Sequence, residues 1–164
     1  MPSFPDSPTR LADDCRRCPA LAESRECISW GNGPRDASVV VVGEAPGYGD
    51  PDADRWQGGN WTGMAYTSRH SGRRIRDLLA DAGFPDCYFT NAVKCFPADP
   101  DDPTTNREPT AEERANCRPY LREELDRIEP DAIVPTGKHA TKSLLALADR
   151  TLDGFVDSVL VPIE

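Results

Sequence analysis

The sequence predicts an α/β protein of three layers, α/β/α, with helices on both faces of a central, mostly parallel four-stranded sheet. Three observations carry this. The chain of 164 residues fits a single domain spanning 1–164, with enough length for one core and little for a second. Four short runs, 38–42, 87–91, 132–135 and 158–162, are dense in β-branched or aromatic residues between turn signals. Helical segments separate them, and strands alternating with helices at this spacing imply crossover connections and a covered parallel sheet.

The first strand, 38–42, ends in four valines, apolar enough to lie at the centre of a sheet. It runs into a loop through Gly63 that holds six glycines, two prolines, four carboxylates and two tryptophans. A helix is predicted over 72–82, where Ile75, Leu78 and Leu79 share one face. The strand 87–91 follows, then a Pro/Asp-rich loop at 96–109. Thr110 and Glu113 have capping-box spacing and open a third segment that reaches Ile128 ahead of Pro130, with Pro119 expected to kink or divide it. After the strand 132–135 comes a helix at 138–148 carrying Leu144, Leu145 and Leu147. The run 158–162 is expected as the fourth strand. Ligands of such sheets sit outside the carboxyl ends of the strands, which is where the glycine-rich loop begins.

A net charge of −9 argues against a conventional basic nucleic-acid surface. The basic residues are nevertheless unusual, because only Lys94, Lys138 and Lys142 among the 19 are lysine. An acidic, lysine-poor surface suits a halophile's cytoplasm, where negative charge keeps a protein hydrated and salt screens its repulsion from a polyanion. No apolar run is long enough to span a bilayer, and the N-terminus lacks the order of a signal peptide. A cytoplasmic protein is the expectation.

Six cysteines without a secretory signal point away from a disulfide framework. Cys15 and Cys18 form a C-x2-C pair, Cys95 follows the second strand and Cys117 lies in the third helical segment. Two local ligands and two distant ones make a four-thiolate set, which serves either structural zinc or an iron–sulfur cluster. Cys27 and Cys87 read as ordinary buried or loop thiols.

The segments CRRCP, VVGEAPGYGD, TNAVKCFP, NREPTAEERANCRPYL and PTGKHATKSLL run in the order and approximate spacing of the iron–sulfur uracil-DNA glycosylases. The chain resembles the family 4 and family 5 branches of that superfamily over nearly its whole length. The resemblance implies a base-excision-repair hydrolase that cleaves the N-glycosidic bond of uracil in DNA; a monomer is expected. It implies a [4Fe-4S] cluster on Cys15, Cys18, Cys95 and Cys117. It places uracil and water at the turn after the first strand, with Glu44 and Ala45 at the turn positions and Asp50 as the water-orienting carboxylate; Asp52 and Asp54 are the alternatives. Asn91 resembles the asparagine whose amide reads the uracil edge. Trp61 falls where the family has a stacking phenylalanine, with Trp56 as the rival.

The chemistry asks for these parts. The base must leave the stack, be gripped on its Watson–Crick edge and meet an aromatic face. Bond cleavage builds positive charge on the sugar and negative charge on uracil, which a carboxylate and hydrogen-bond donors stabilise.

Three departures stand out. The residues MAYTSRH, 64–70, are additional to the compact family pattern, and the pocket wall and base specificity are expected to depart from it there. Neither His70 nor His139 sits in a His-Pro motif. The family's second catalytic motif, a His-Pro turn after the last strand, would fall beyond Glu164, so further natural sequence is expected there. Phosphate contacts are expected from Arg69, Arg73, Arg74 and Arg76, with the helix start at Lys138 and His139 a second candidate. The rival functions are excision of another damaged base and a non-catalytic module stapled by zinc or a cluster.

Overall fold

A computed structural model describes residues 2–164. In chain order the elements are α1 (Pro19–Ser24), β1 (Val39–Gly43), α2 (Gly59–Thr62), α3 (Gly72–Asp81), β2 (Tyr88–Asn91), α4 (Ala111–Ile128), β3 (Ala132–Pro135), α5 (Lys138–Leu147) and α6 (Phe155–Ser158). The sheet has three parallel strands in the order β2-β1-β3. In register, Gly43 stands beside Asn91 and Val42 beside Pro135, so the carboxyl ends of all three strands meet at one edge.

Alternation along β1 builds the two helical layers. Val40 and Val42 join Tyr88, Leu121, Ile128 and Ala140 on the face covered by α4 and α5. Val41 joins Phe89 and Cys87 on the opposite face, against Ile75 and Leu79 of α3. Successive strand residues point to opposite faces, so four valines in a row suit a strand sandwiched between layers. Cys87 is a core thiol in that second layer.

The fourth strand expected at 158–162 is absent among the described residues. Residues 155–158 form the short α6, and Leu160 adopts φ 61° and is 99% exposed. A left-handed backbone at a bulky residue cannot continue a ladder, and β-propensity is realised only where a sheet receives the side chains. The outer edge of β3 is consequently open, with Ile133 and Val134 exposed. The β2 edge is covered instead, by mutual backbone hydrogen bonds between Asn32 and Phe89 of 2.8 and 2.9 Å.

The capping box forms as expected. Glu113 N donates to Thr110 Oγ1 at 3.1 Å and Thr110 N to Glu113 Oε2 at 3.0 Å. Pro119 does not divide α4. Both Pro119 and Ala115 face solvent, so the Ala115 carbonyl that loses its intrahelical donor lies on the side open to water. Among the described residues no helix is long and apolar enough to cross a membrane.

Candidate functional site

The valine-rich β1 delivers the chain to a cleft of about 610 Å³ at the carboxyl edge of the sheet. Its walls come from the turn after β1, the 64–71 segment, and the ends of β2 and β3. Glu44, Ala45, Asp50 and Asn91 all line it. The ends of β1 and β2 are laced behind it, because Ala92 N donates to Gly43 O at 2.8 Å and Val93 N to Glu44 O at 2.9 Å.

Asn91 is 5% exposed, and its position depends on Gly43. A Cβ added at Gly43 would collide with Asn91 Oδ1 and come within 2.8 Å of the Tyr66 hydroxyl. The missing side chain is what lets the amide and the phenol converge. Asp50 is exposed and held in a tight turn, its Oδ1 accepting from Asp52 N at 3.0 Å and its own N–H donating to Gln57 O at 2.8 Å. Asp52 and Asp54 do not line the cleft.

The two tryptophans separate. Trp61 does not line the cleft; its indole Nε1 donates to Tyr48 O at 2.7 Å and its ring packs edge-on against Tyr48 at 5.8 Å. Trp56 does line it, with Phe4 of the N-terminal segment edge-on at 5.1 Å.

Three wall residues escaped sequence reasoning. Tyr66 lines the cleft with φ 55°, and its hydroxyl lies 2.6 Å from Thr136 Oγ1. Burial pushes its phenol pKa up. Thr136, one residue beyond β3, could have been found by the rule that ligands gather at strand ends. Tyr66 and His70 belong to the additional 64–70 residues, whose effect on the wall was legible but whose individual placement was not.

The arginine patch divides. Arg69 lines the cleft and is exposed, as is Arg74. Arg73 lies 6.0 Å over Trp56. Arg76 turns inward, donating to Tyr66 O at 2.9 Å and Asn32 Oδ1 at 2.6 Å and stacking 4.1 Å over Phe89. Burial lowers its pKa to about 10. Arg76 is thus a brace and no phosphate contact. His139 likewise faces α4: its Nδ1 lies 2.7 Å from Arg114 Nη1, and Nε2 lies 3.3 Å from Glu108 Oε2.

The four expected ligand cysteines come together. Cys95 and Cys117 are buried in a cluster with Leu21, Trp30, Val93 and Tyr120, and Cys15 and Cys18 pack against it. Three sulfurs receive N–H donors: Cys18 from Asn116 Nδ2 at 3.4 Å, Cys95 from Arg25 Nη1 at 3.6 Å and Cys117 from Lys94 N at 3.5 Å. Burial pushes the Cys95 thiol up to about 12 and raises Cys117 as well. Among the described residues, no three His, Cys, Asp or Glu side chains close to metal-holding geometry. The donor set itself, four thiols with N–H groups aimed at three of them, fits a thiolate-bound centre. Cys27 stands apart, its Sγ 3.5 Å from Trp61 O. Ala45 belongs to both places, lining the cleft and packing on the cysteine cluster.

Comparison with known proteins places this architecture. The family described as the uracil DNA glycosylase superfamily matches residues 30–162. A type-5 uracil-DNA glycosylase of Pyrobaculum aerophilum is 31% identical over 182 residues, which cover 93% of this chain and 74% of that protein. A type-4 uracil-DNA glycosylase of Archaeoglobus fulgidus is 34% identical over 146 residues, 88% of this chain and 65% of the relative. For a type-4 enzyme of Thermotoga maritima the values are 35% over 128 residues, 77% and 58%. The chain spans 58–74% of the length of these three relatives. With a parallel sheet whose glycine-rich first turn and Asn91 open onto one cleft, and with a family match over most of its residues, this chain belongs to the uracil DNA glycosylase superfamily.

Proposed function

We propose that this protein removes uracil from DNA by hydrolysing the N-glycosidic bond, leaving an abasic site, and that it acts as a monomer. The observation that carries the reading is the convergence of Glu44, Ala45, Asp50 and Asn91 on one cleft at the carboxyl ends of β1 and β2.

The buried Asn91 amide offers the donor and acceptor that the uracil edge requires. Asp50, on the exposed side of the cleft, orients the attacking water and faces the cationic sugar. Backbone amides of the Glu44–Ala45 turn stabilise the charge that develops on the departing base. Trp56 and Tyr66 supply the aromatic faces within the cleft, while Trp61 shapes the loop through Tyr48. Arg69 is placed to meet a backbone phosphate beside the cleft.

Cys15, Cys18, Cys95 and Cys117 hold a [4Fe-4S] cluster in this reading. The support is their shared packing and the N–H donors on their sulfurs. Bound there, the cluster ties the N-terminal segment and α4 to the end of β2.

The test is base release from single- and double-stranded oligonucleotides containing one uracil, using the full natural chain in high-potassium buffer. Release that Asn91→Ala abolishes supports the reading. A folded protein that binds DNA and frees no uracil overturns it. The 64–70 wall favours one second reading, excision of a different deaminated base, which the same assay decides with a panel of modified bases.

A further inference from the structure

Between β2 and α4 lies a buried ion pair to which the proposed chemistry assigns no role. Lys94 and Glu124 are each 1% exposed, and Lys94 Nζ donates to Glu124 Oε1. The ammonium also donates to Thr90 Oγ1 and to the backbone carbonyl of Asn91, both at 2.6 Å. All three of its protons are therefore used. Glu124 accepts in addition from Thr90 Oγ1 at 3.0 Å and, through Oε2, from Tyr88 OH at 2.7 Å.

A pair like this is a poor way to join a helix to a sheet. Apolar residues of the same volume hold such interfaces as well or better, because two charges lose their hydration. Its contacts indicate a different purpose. Lys94 lies three residues after Asn91 and grips the Asn91 carbonyl from behind, while the Gly43 and Glu44 carbonyls hold the N–H groups of Ala92 and Val93. The backbone that aims the Asn91 amide into the cleft is thus fixed on every side. The other end of the device reaches the cysteines. Lys94 N donates to Cys117 Sγ, and Glu124 lies seven residues, about two helical turns, from Cys117 on α4.

We propose that Lys94 and Glu124 are positioning residues that set the angle of the Asn91 amide and make it follow α4, the helix that carries Cys117. This rests on the base-reading role of Asn91 given above. Neither residue touches the substrate; both act through Asn91.

The test uses the full natural chain with Lys94→Met, Glu124→Gln and the two combined, each with and without Asn91→Ala. Single-turnover uracil release, visible absorbance and thermal melting are measured together. The combined variant removes both charges at similar volume. It is expected to stay folded and keep its absorbance, yet to release uracil about 10- to 100-fold more slowly, as a small misplacement of a binding group would cause. Adding Asn91→Ala to it should then cost at least tenfold less than in the parent, because the amide is already misaimed.

Rates within about twofold of the parent, or losses that multiply independently of Asn91, overturn the proposal. If Lys94→Met does not fold, Glu124→Gln alone carries the same comparison, since glutamine keeps the acceptor for Tyr88. If the parent itself frees no uracil, the glycosylase reading fails separately. The side-chain amide resonance of 15N-labelled Asn91 then decides: displacement or broadening in the Glu124→Gln variant supports the brace, and an unmoved sharp signal refutes it.

Discussion

The Tyr66 hydroxyl lies 2.6 Å from Thr136 Oγ1, joining the segment before α3 to the end of β3 across the cleft. Thr136 Oγ1 is also 3.3 Å from Val42 O, so the link reaches the end of β1. Tyr66→Phe removes one part-buried hydrogen bond and should cost about 1 kcal/mol. In a domain of this size that lowers Tm by roughly 2–4 °C. Thr136→Val should cost a similar amount, and the double variant less than the sum, in thermal melts.

The same phenol makes alkaline stability measurable. Burial raises the pKa of both Tyr66 and Tyr88 above the ordinary tyrosine value. The folded state then holds these protons more tightly than the unfolded chain, so the stabilisation is complete below pH ~10 and is lost as pH rises through the raised folded values. Urea midpoints should fall between pH 8 and pH 11, and Tyr66→Phe should shrink that fall.

Gly43→Ala is expected to separate activity from folding. Its Cβ meets Asn91 Oδ1 and the Tyr66 hydroxyl, two groups of the cleft, while β1 stays buried between its partners. Uracil release should drop by about 100-fold for a displacement on the order of 1 Å. Urea denaturation and far-UV circular dichroism should show a protein that still folds.

Cysteine variants should sort into two groups. Cys95→Ala and Cys117→Ala are expected to lower visible absorbance and thermal stability together. Cys87→Ala should leave the absorbance intact and cost only the packing of a small buried side chain, about 1 kcal/mol. Parallel iron analysis and melting curves on the three variants check this, and equal absorbance in all of them would refute the ligand set.

Salt titration of DNA binding should register a change at Arg69 and none at Arg76. Arg69→Ala removes an exposed guanidinium and should reduce the salt slope by about one unit. Arg76→Met leaves the slope unchanged but deprives Asn32 Oδ1 and the Tyr66 carbonyl of a charged donor. Its cost should appear as roughly 2–3 kcal/mol of stability in urea titrations.

Much of this architecture was legible because it rests on short-range rules. Four consecutive β-branched valines between turn signals suit a strand covered on both faces, and Thr110 with Glu113 marks a helix start by local hydrogen bonds alone. The fourth strand was misread for the complementary reason: residues 158–162 have strand-like composition, but a strand exists only when another strand supplies the hydrogen bonds. Asn91 and Asp50 were picked out by resemblance to the family's motifs rather than by any local rule, and both line the cleft. The parting of Trp56 from Trp61 turns on which ring finds Tyr48, a contact 13 residues away from Trp61 that no periodicity encodes. Arg76 shows the same limit, since helical spacing groups it with its charged neighbours while packing draws it toward Phe89.

The strand order also sets a timetable for synthesis. β1 leaves the ribosome before β2 and β3, yet Val40 waits for Tyr88 and then for Ile133 before both its edges are hydrogen-bonded. Separations of 48 and 93 residues between those partners put this sheet among slow, non-local topologies. Until Pro135 is made, the valine run is a nascent apolar segment with an unpaired edge, the kind of intermediate that chaperones exist to shelter. The carboxyl end of β1, on which the cleft is built, therefore has both its edges hydrogen-bonded only once β2 and β3 are in place.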